Sequence, residues 1–214
     1  MIRVKYATPT SKGEMYDYRC SGSLINENYV LTASWCFTRT YFSPIEVRLG
    51  DYHFANETDC INDGMTYRCV DNSEMFGIAE TIIHPNYDGG YASNDVGLIR
   101  LNKTVKYTDY IRPVCLPLHG VKRGKIGDVL TVNGWGFLRI DKYGETKTKV
   151  TVILRERSDC LRARNDESKI CTGPLSNNTS SACFYGNVGS SVVFSNENQW
   201  HQEAVVSGLS YCFF

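Results

Sequence analysis

The sequence has no apolar run that approaches the roughly 18 residues of a membrane helix, and its first residues lack the apolar core of a signal peptide. The formal net charge is zero, so charge gives no argument for binding nucleic acid or an anionic membrane. No CxxC pair occurs, and the four histidines do not have zinc-ligand spacing. The sequence therefore predicts no metal site, no cofactor, and no nucleic-acid or membrane partner.

Cysteine, by contrast, is abundant. Nine cysteines in 214 residues favour disulfides over metal ligands, and disulfides persist in oxidising compartments. Four asparagines fit the N-glycosylation pattern, namely Asn56, Asn102, Asn177 and Asn178. These features predict an extracellular protein. Because no signal peptide is visible, we expect either that the chain is incomplete or that its start is misassigned.

Short runs rich in Val, Ile, Thr and Tyr recur between turn residues, which is typical of an all-β barrel or sandwich. The predicted strands are 29–32, 45–49, 78–83, 96–101, 129–132, 148–154, 191–194 and 204–207. One short helix is predicted at 158–165, with Ser158 or Asp159 as its N-cap. Two prolines four residues apart predict an extended connector at 113–118 between two halves.

Six motifs in order resemble those of the trypsin-like serine proteases. The first motif spans residues 20–36, where CSGSLI (20–25) and VLTASWC (30–36) resemble CGGSLI and VLTAAHC. The next three are NDVGLIRL (94–101), which resembles NDIALLRL, IRPVCLP (111–117), which reads as in the family, and VNGWG (132–136), which resembles VAGWG. In the last two, GNVGSS (186–191) stands where GDSGGP belongs, and VS (206–207) stands where VSWG begins. Residues 47–52, with an extra cysteine pair in the next loop, are closest in style to the arthropod clip-domain proteases.

The resemblance implies two six-stranded Greek-key β-barrels with a cleft between them. The expected parts are an N-terminal barrel at 1–112, the connector at 113–118 and a C-terminal barrel at 119–214. Compared with the family, the domain is expected to be truncated at both ends. A calcium loop occurs in some members of the family, but no ligand pattern for one is found here.

The resemblance also implies how the cysteines pair. The expected disulfides are Cys20–Cys36, Cys60–Cys69, Cys160–Cys171 and Cys183–Cys212, which leaves Cys115 unpaired. In clip-type relatives, the position of Cys115 bonds to a cysteine upstream of the protease domain. Two alternatives follow: an upstream or interchain disulfide through Cys115, or a free buried cysteine.

The resemblance places the catalytic triad at Trp35, Asp95 and Val188. An indole cannot act as a base near neutral pH, and a valine side chain has no heteroatom. If the register is counted from Cys183, the nucleophile position falls on Asn187, which is not a nucleophile for acyl transfer either. We therefore expect no functional catalytic residue.

Nearby positions lead to the same expectation. Ser190 and Ser191 follow the nucleophile position, but without a histidine partner a serine is not activated. Asp95 is expected to accept hydrogen bonds from backbone N–H groups and from the Trp35 indole, because an unpaired buried carboxylate is costly. The substrate-pocket positions are also changed; they are Ser181, Ser207, Gly208 and Leu209, and Leu209 replaces a glycine where substrate lies in the family.

Three functions remain open from the sequence. The leading hypothesis is a catalytically inactive homologue that acts as a secreted, non-enzymatic regulator or cofactor in an extracellular protease cascade, such as arthropod innate immunity and melanisation, with protein partners. The second is an active serine endopeptidase, which requires that Trp35 and Val188 are both misread. The third is a decaying or truncated gene product.

Overall fold

The structure is a computed structural model that describes residues 1–38, 41–53, 56, 58–62, 64–69, 73–118, 121, 123–135, 137–139, 142–143, 146–175, 188–196 and 199–208. The strands are β1 (Ile2–Thr10), β2 (Gly13–Leu24), β3 (Tyr29–Thr32), β4 (Ser43–Leu49), β5 (Cys60–Asn62), β6 (Tyr67–Cys69), β7 (Glu74–Ile83), β8 (Gly97–Leu101), β9 (Val129–Gly134), β10 (Phe137–Arg139), β11 (Lys142–Tyr143), β12 (Thr148–Arg155), β13 (Cys171–Pro174), β14 (Ser191–Asn196) and β15 (Gln199–Val205). Two short 3₁₀ helices span Ser34–Phe37 and Arg157–Asp159.

The first half of the chain is a closed barrel of six strands in the order β1-β2-β3-β8-β7-β4. Its neighbouring strands are antiparallel. Successive side chains of a strand point to opposite faces, so Ile2, Val4 and Tyr6 of β1 enter the core beside Val47 and Leu49 of β4. Burial raises the pKa of the Tyr6 phenol far above its usual range, so the phenol remains a neutral hydrogen-bond donor.

The second half contributes a five-stranded sheet in the order β13-β12-β9-β14-β15, within the residues that the structure describes. Leu130 and Val132 of β9, Val152 and Leu154 of β12, and Phe194 of β14 form its core. The remaining strands pair with each other as two small two-stranded sheets, β5–β6 and β10–β11. The all-β class and the first six-stranded barrel are as predicted; where a second six-stranded barrel was expected, the described residues form a five-stranded sheet.

Several contacts join the two halves. The Trp135 indole N–H donates to the Tyr52 carbonyl at 2.9 Å, and the Lys147 N–H donates to the same carbonyl at 2.8 Å. The segment predicted as a connector bonds to both sides: the Val114 N–H donates to Leu24 at 2.9 Å, and Cys115 forms a parallel bridge with His201.

Each of the eight predicted runs overlaps a strand, although β15 ends at Val205 and the predicted run extends to residue 207. The helix predicted at 158–165 is wrong. Its place is taken by the three-residue 3₁₀ helix and a series of turns, because the N–H groups of Asp159, Cys160 and Ala163 each bond to the carbonyl three residues before. The position preceding the 3₁₀ helix is Glu156, which makes no side-chain cap, so neither predicted N-cap residue fills that role.

The structure contains three of the four expected disulfides, Cys20–Cys36, Cys60–Cys69 and Cys160–Cys171. The fourth, Cys183–Cys212, lies outside the described residues. Cys115 carries a free thiol and is exposed, so the alternative of a buried free cysteine is wrong.

The surface adds two further observations. The glycosylation positions Asn56 and Asn102 are exposed, whereas Asn177 and Asn178 lie outside the described residues. Over the part of the chain that the structure describes, no helix has the length and apolar character needed to cross a membrane.

Candidate functional site

Trp35 lies in the 3₁₀ helix that follows β3, at the edge of the barrel. The helix is fixed on both sides of the indole. The buried Ser34 hydroxyl donates to the Val96 carbonyl at 2.6 Å and accepts from the His84 N–H at 3.2 Å. Cys36 is bonded to Cys20, and its carbonyl accepts from the Tyr6 hydroxyl at 3.0 Å. The barrel therefore determines where the Trp35 ring lies.

Asp95 uses both carboxylate oxygens. Its Oδ1 accepts from the Trp35 backbone N–H at 2.8 Å. Its Oδ2 accepts from the Ser207 hydroxyl at 2.6 Å and from the Gly208 N–H at 2.9 Å. The predicted backbone donors are present, and the donor that Trp35 supplies here is its main-chain N–H. Because Asp95 belongs to the first half and residues 207–208 to the second, the carboxylate bridges the two halves.

Val188 lies at the same junction. Its carbonyl accepts from the Ser21 N–H of β2 at 2.8 Å. The next two residues bond to Val206 within the second half. The Gly189 N–H donates to the Val206 carbonyl at 2.8 Å, and the Ser190 carbonyl accepts from the Val206 N–H at 2.9 Å. The Val188 side chain packs against the core of the barrel. The residue predicted at the nucleophile position thus makes an apolar contact between the halves.

Gly189 makes this close approach sterically feasible. Its φ is +83°, a left-handed conformation that favours glycine. A Cβ at this position would collide with the Ser21 carbonyl oxygen and the Thr32 hydroxyl. Any other residue would push the 188–190 segment away from the barrel.

Gly208 makes a similarly close approach to the Trp35 ring. A Cβ built on Gly208 would collide with Cγ, Cδ1 and Cδ2 of the indole. The ring therefore lies directly against the backbone of Gly208. Like Val188, the indole also packs on the barrel core.

These residues form one surface, which we call the seam: Ser21, Thr32, Trp35 and Asp95 on the first half, and residues 188–190 and 206–208 on the second. The structure brings together the predicted positions Trp35, Asp95, Val188, Ser207 and Gly208. Ser181, Asn187 and Leu209 lie outside the described residues.

Ser190 is the hydroxyl that follows the nucleophile position. It is fully buried, and its Oγ has no hydrogen-bond partner among the residues that the structure describes. A serine becomes a nucleophile for acyl transfer only when a base removes its proton. Neither an indole nor a carboxylate already engaged by three donors fits that role. Among the described residues, no group of three or more metal-ligating side chains lies together.

A second bridge, which the sequence reasoning missed, lies beside the seam. The Asp166 carboxylate accepts from the Ser93 hydroxyl at 2.7 Å and from the Ser168 hydroxyl at 2.6 Å. Lys169 pairs with Asp166 at 3.1 Å and also donates to the Tyr91 carbonyl at 2.6 Å. Burial on its own raises the pKa of the Asp166 carboxyl, but hydrogen bonds from Ser168, Ser93 and Lys169 outweigh it and hold the pKa well below its usual range.

Sequence reasoning also missed the role of Ser207, which was predicted as a pocket position. No local signal marks Ser93 and Asp166 as partners, because 73 positions separate them along the chain. Only the motif order, which places Asp95 and Ser207 in one cleft, could have suggested the Ser207 contact.

Comparison with known families and sequences gives one consistent result. The family model described as Trypsin matches residues 3–212. The chain is 34% identical over 169 residues to CLIP domain-containing serine protease B9 of Anopheles gambiae, a match that covers 77% of this chain and 42% of that protein. It is 36% identical over 169 residues to Phenoloxidase-activating factor 1 of Holotrichia diomphalia, covering 73% of this chain and 46% of that protein. These matches therefore span less than half the length of either relative.

Among solved structures, the fold is similar to that of the Drosophila Grass clip serine protease of the Toll pathway. The TM-score is 0.78 with 24% sequence identity, and the match covers 99% of this chain and 61% of that one. At this identity the likeness shows the fold alone.

Proposed function

The chain belongs to the trypsin family, and from that premise we propose that it is a catalytically inactive homologue that acts as a regulator or cofactor in an extracellular protease cascade. The observation that carries the proposal is the environment of Asp95. In an active member, the aspartate holds a histidine, which in turn takes the proton of the serine nucleophile. Here the Asp95 carboxylate accepts hydrogen bonds from the Trp35 and Gly208 backbones and from the Ser207 hydroxyl.

Each step of peptide hydrolysis lacks its group in this arrangement. Trp35 supplies no proton acceptor, and Val188 supplies no nucleophilic atom. Loss of one triad member lowers the rate by roughly 10⁴- to 10⁶-fold, and losses within the triad are not additive. Both replacements therefore favour a role that depends on the fold and its surface rather than on peptide cleavage.

The relatives support the cascade part of the proposal. One of them, 36% identical to this chain over 169 residues, is named as a phenoloxidase-activating factor. We infer that this chain acts with proteins of the same kind of cascade, in innate immunity or melanisation. The exposed Cys115 thiol fits an upstream or interchain disulfide, and the exposed Asn56 and Asn102 fit glycosylation in a secreted protein.

A serine-reactive fluorophosphonate probe tests the proposal. The protein is secreted from insect cells and incubated with the probe beside bovine trypsin, and a Ser190→Ala/Ser191→Ala variant serves as the matched control. We expect labelling of trypsin and no difference between the protein and its double-serine variant. Stoichiometric labelling that the variant abolishes, and that a peptide substrate competes away, would show an active endopeptidase.

A further inference from the structure

A cavity of 370 Å³ lies between the two halves of the chain. Ser23 and Leu24 of β2 line it on the side of the barrel, and Lys149 of β12 and Ser191 of β14 line it on the side of the sheet. Cavities of this size hold small ligands in many proteins. None of the predicted triad positions lines the cavity, so it is distinct from the contacts of Asp95.

The sheet presents a largely polar face to the cavity. Val132 of β9 packs in the core, whereas its neighbours Thr131 and Asn133 line the cavity, because successive side chains of a strand point to opposite faces. Lys149 is paired directly opposite Asn133, and Val193 is paired opposite Thr131. The register of β9, β12 and β14 therefore places a hydroxyl, an amide and an ammonium group on one wall.

The charged groups of the cavity are cationic. Lys147 and Lys149 line it, and none of the described residues that line it is an aspartate or a glutamate. Arg112 also lines it, but this side chain forms an exposed ion pair with Asp109 at 2.9 Å. Neither lysine takes part in any ion pair found among the described residues. The two lysines therefore favour an anionic occupant.

Lys147 is in addition largely removed from solvent. Burial lowers the pKa of its ammonium group, and the charges of Asp51 and Asp59 oppose this effect without cancelling it. Both carboxylates have other partners: Asp51 pairs with Arg3 at 3.0 Å, and Asp59 accepts from two backbone N–H groups. An anion in the cavity would add the nearby counter-charge that favours the ammonium form.

Ser23 supplies an observation that does not depend on charge. It is 3% exposed and lines the cavity, and its Oγ has no hydrogen-bond partner among the described residues. Buried hydroxyl groups in native proteins nearly always have a partner, because an unpaired one loses its bond to water without replacement. An oxygen atom of a ligand in the cavity would accept the hydrogen bond that this hydroxyl can donate.

We propose that this cavity is a binding site for a small organic anion. Ser23, Lys147 and Lys149 hold its phosphate, sulfate or carboxylate group, and Leu24 and Val193 contact its apolar body. The site goes beyond the proposed function and does not depend on it, since none of these residues belongs to the predicted triad.

Isothermal titration of the purified, secreted protein with phenyl phosphate tests the site. Inorganic phosphate, benzoate and benzyl alcohol are titrated in parallel. We expect phenyl phosphate to bind about tenfold more tightly than inorganic phosphate, because only the former buries an apolar ring. Benzyl alcohol should not bind, and the tighter of phenyl phosphate and benzoate identifies the class of anionic group. Absence of binding by both organic anions, or equal binding of benzyl alcohol, would overturn the site.

Lys149→Met tests the charge, because methionine keeps an unbranched apolar side chain and removes the ammonium group. We expect this variant to bind phenyl phosphate about tenfold more weakly, as the loss of a hydrogen bond to a charged group implies. Lys106→Met is the matched control, since Lys106 is exposed and does not line the cavity. Its affinity should equal that of the wild type. Equal weakening in both variants would show an effect of net charge and contradict the site.

Ser23→Ala separates a role in binding from a role in folding. Because the Ser23 hydroxyl has no partner in the unliganded protein, its removal should leave Tm unchanged or slightly higher. The same variant should bind phenyl phosphate about tenfold more weakly. A lower Tm with unchanged affinity would show that the hydroxyl serves the fold and would remove it from the site. Neither result bears on the proposed function, which fluorophosphonate labelling tests separately.

Discussion

In the first half of the chain, six strands close into a barrel, whereas in the second half the described residues form an open five-stranded sheet. The two halves also differ in the contacts that fix their seam residues. Trp35 is fixed within its own half by a disulfide and by buried hydrogen bonds. Residues 188–190 are instead bonded to Ser21 of the barrel on one side and to Val206 on the other.

This contrast gives a structural role to Asp95, the predicted triad aspartate. Asp95 is the residue through which the barrel binds the 206–208 segment. Its loss would leave hydrogen-bond donors of both halves without an acceptor, whether or not the protein cleaves peptides. The Trp35 and Val188 side chains pack against the barrel core instead. Asp95 therefore has a structural role that does not depend on catalysis.

The largest expected effect concerns the two cores. Phe76 is 2% exposed in the barrel and Phe194 is 8% exposed in the open sheet. We expect Phe76→Ala to lower the free energy of unfolding by about 3–5 kcal/mol and Phe194→Ala to lower it by less, since the Phe194 side chain is less completely buried. Urea denaturation measures both. A larger loss for Phe194→Ala would reverse the comparison.

The disulfides give the next effect. The buried Cys20–Cys36 bridge closes 16 residues beneath Trp35, whereas Cys60–Cys69 closes 9 residues in a small hairpin. Removing the first bridge as Cys20→Ala/Cys36→Ala should cost about 3 kcal/mol, and removing the second as Cys60→Ala/Cys69→Ala should cost less. Calorimetric melting compares them. Equal losses would show that the first bridge does not reinforce the barrel side of the seam.

Asp95 tests the seam itself. Asp95→Ala leaves the Trp35 and Gly208 N–H groups and the Ser207 hydroxyl without their acceptor, so we expect a loss of about 2–3 kcal/mol in unfolding free energy. Asp109→Ala is the matched control, because the Asp109 side chain is 85% exposed and pairs only with Arg112 in the ion pairs described. That variant should stay within about 1 kcal/mol of the wild type. Unchanged stability in Asp95→Ala would remove the structural reason for retaining this residue.

The smallest expected effect is a pH dependence of stability that comes from the contacts of the Asp166 carboxylate. Because the pKa of Asp166 is held below its usual range, its charged form stabilises the fold above the ordinary aspartate pKa of about 3.9. This stabilisation is lost as the pH falls below about 4 towards the folded-state pKa. The difference in Tm between the wild type and Asp166→Asn should therefore shrink on acidification from pH 6 to pH 3. A constant difference would show that the charge of Asp166 does not stabilise the contact.

Much of the fold could be predicted from sequence, because strand signals are local. Alternating apolar residues marked β3, β4 and β8, and their side chains enter the barrel core. The hairpin of β1 and β2 was not among the predicted runs. The exposed end of β2, from Gly13 to Asp17, has no buried face to set a period, so cross-strand pairing with β1 determines it.

The helix predicted at 158–165 failed for a related reason. Helical propensity is a weak signal over eight residues, and tertiary contacts override it. Here Cys160 is tied to Cys171, and Asp166 turns to meet Ser93 of the other half. The motifs identified which residues meet at the seam, but not how they bond. That Ser207 donates to Asp95, and that the Trp35 ring rests on Gly208, follow from distances that no local pattern encodes.

The most direct test of the central claim is the hydrolysis of a tripeptide aminomethylcoumarin amide library by the purified, secreted protein, with its Ser190→Ala/Ser191→Ala variant assayed in parallel. We expect both preparations to release coumarin at the same rate as buffer. Saturable hydrolysis by the protein that the double variant lacks would contradict it, because it would show that a serine near the seam is activated without a histidine at residue 35.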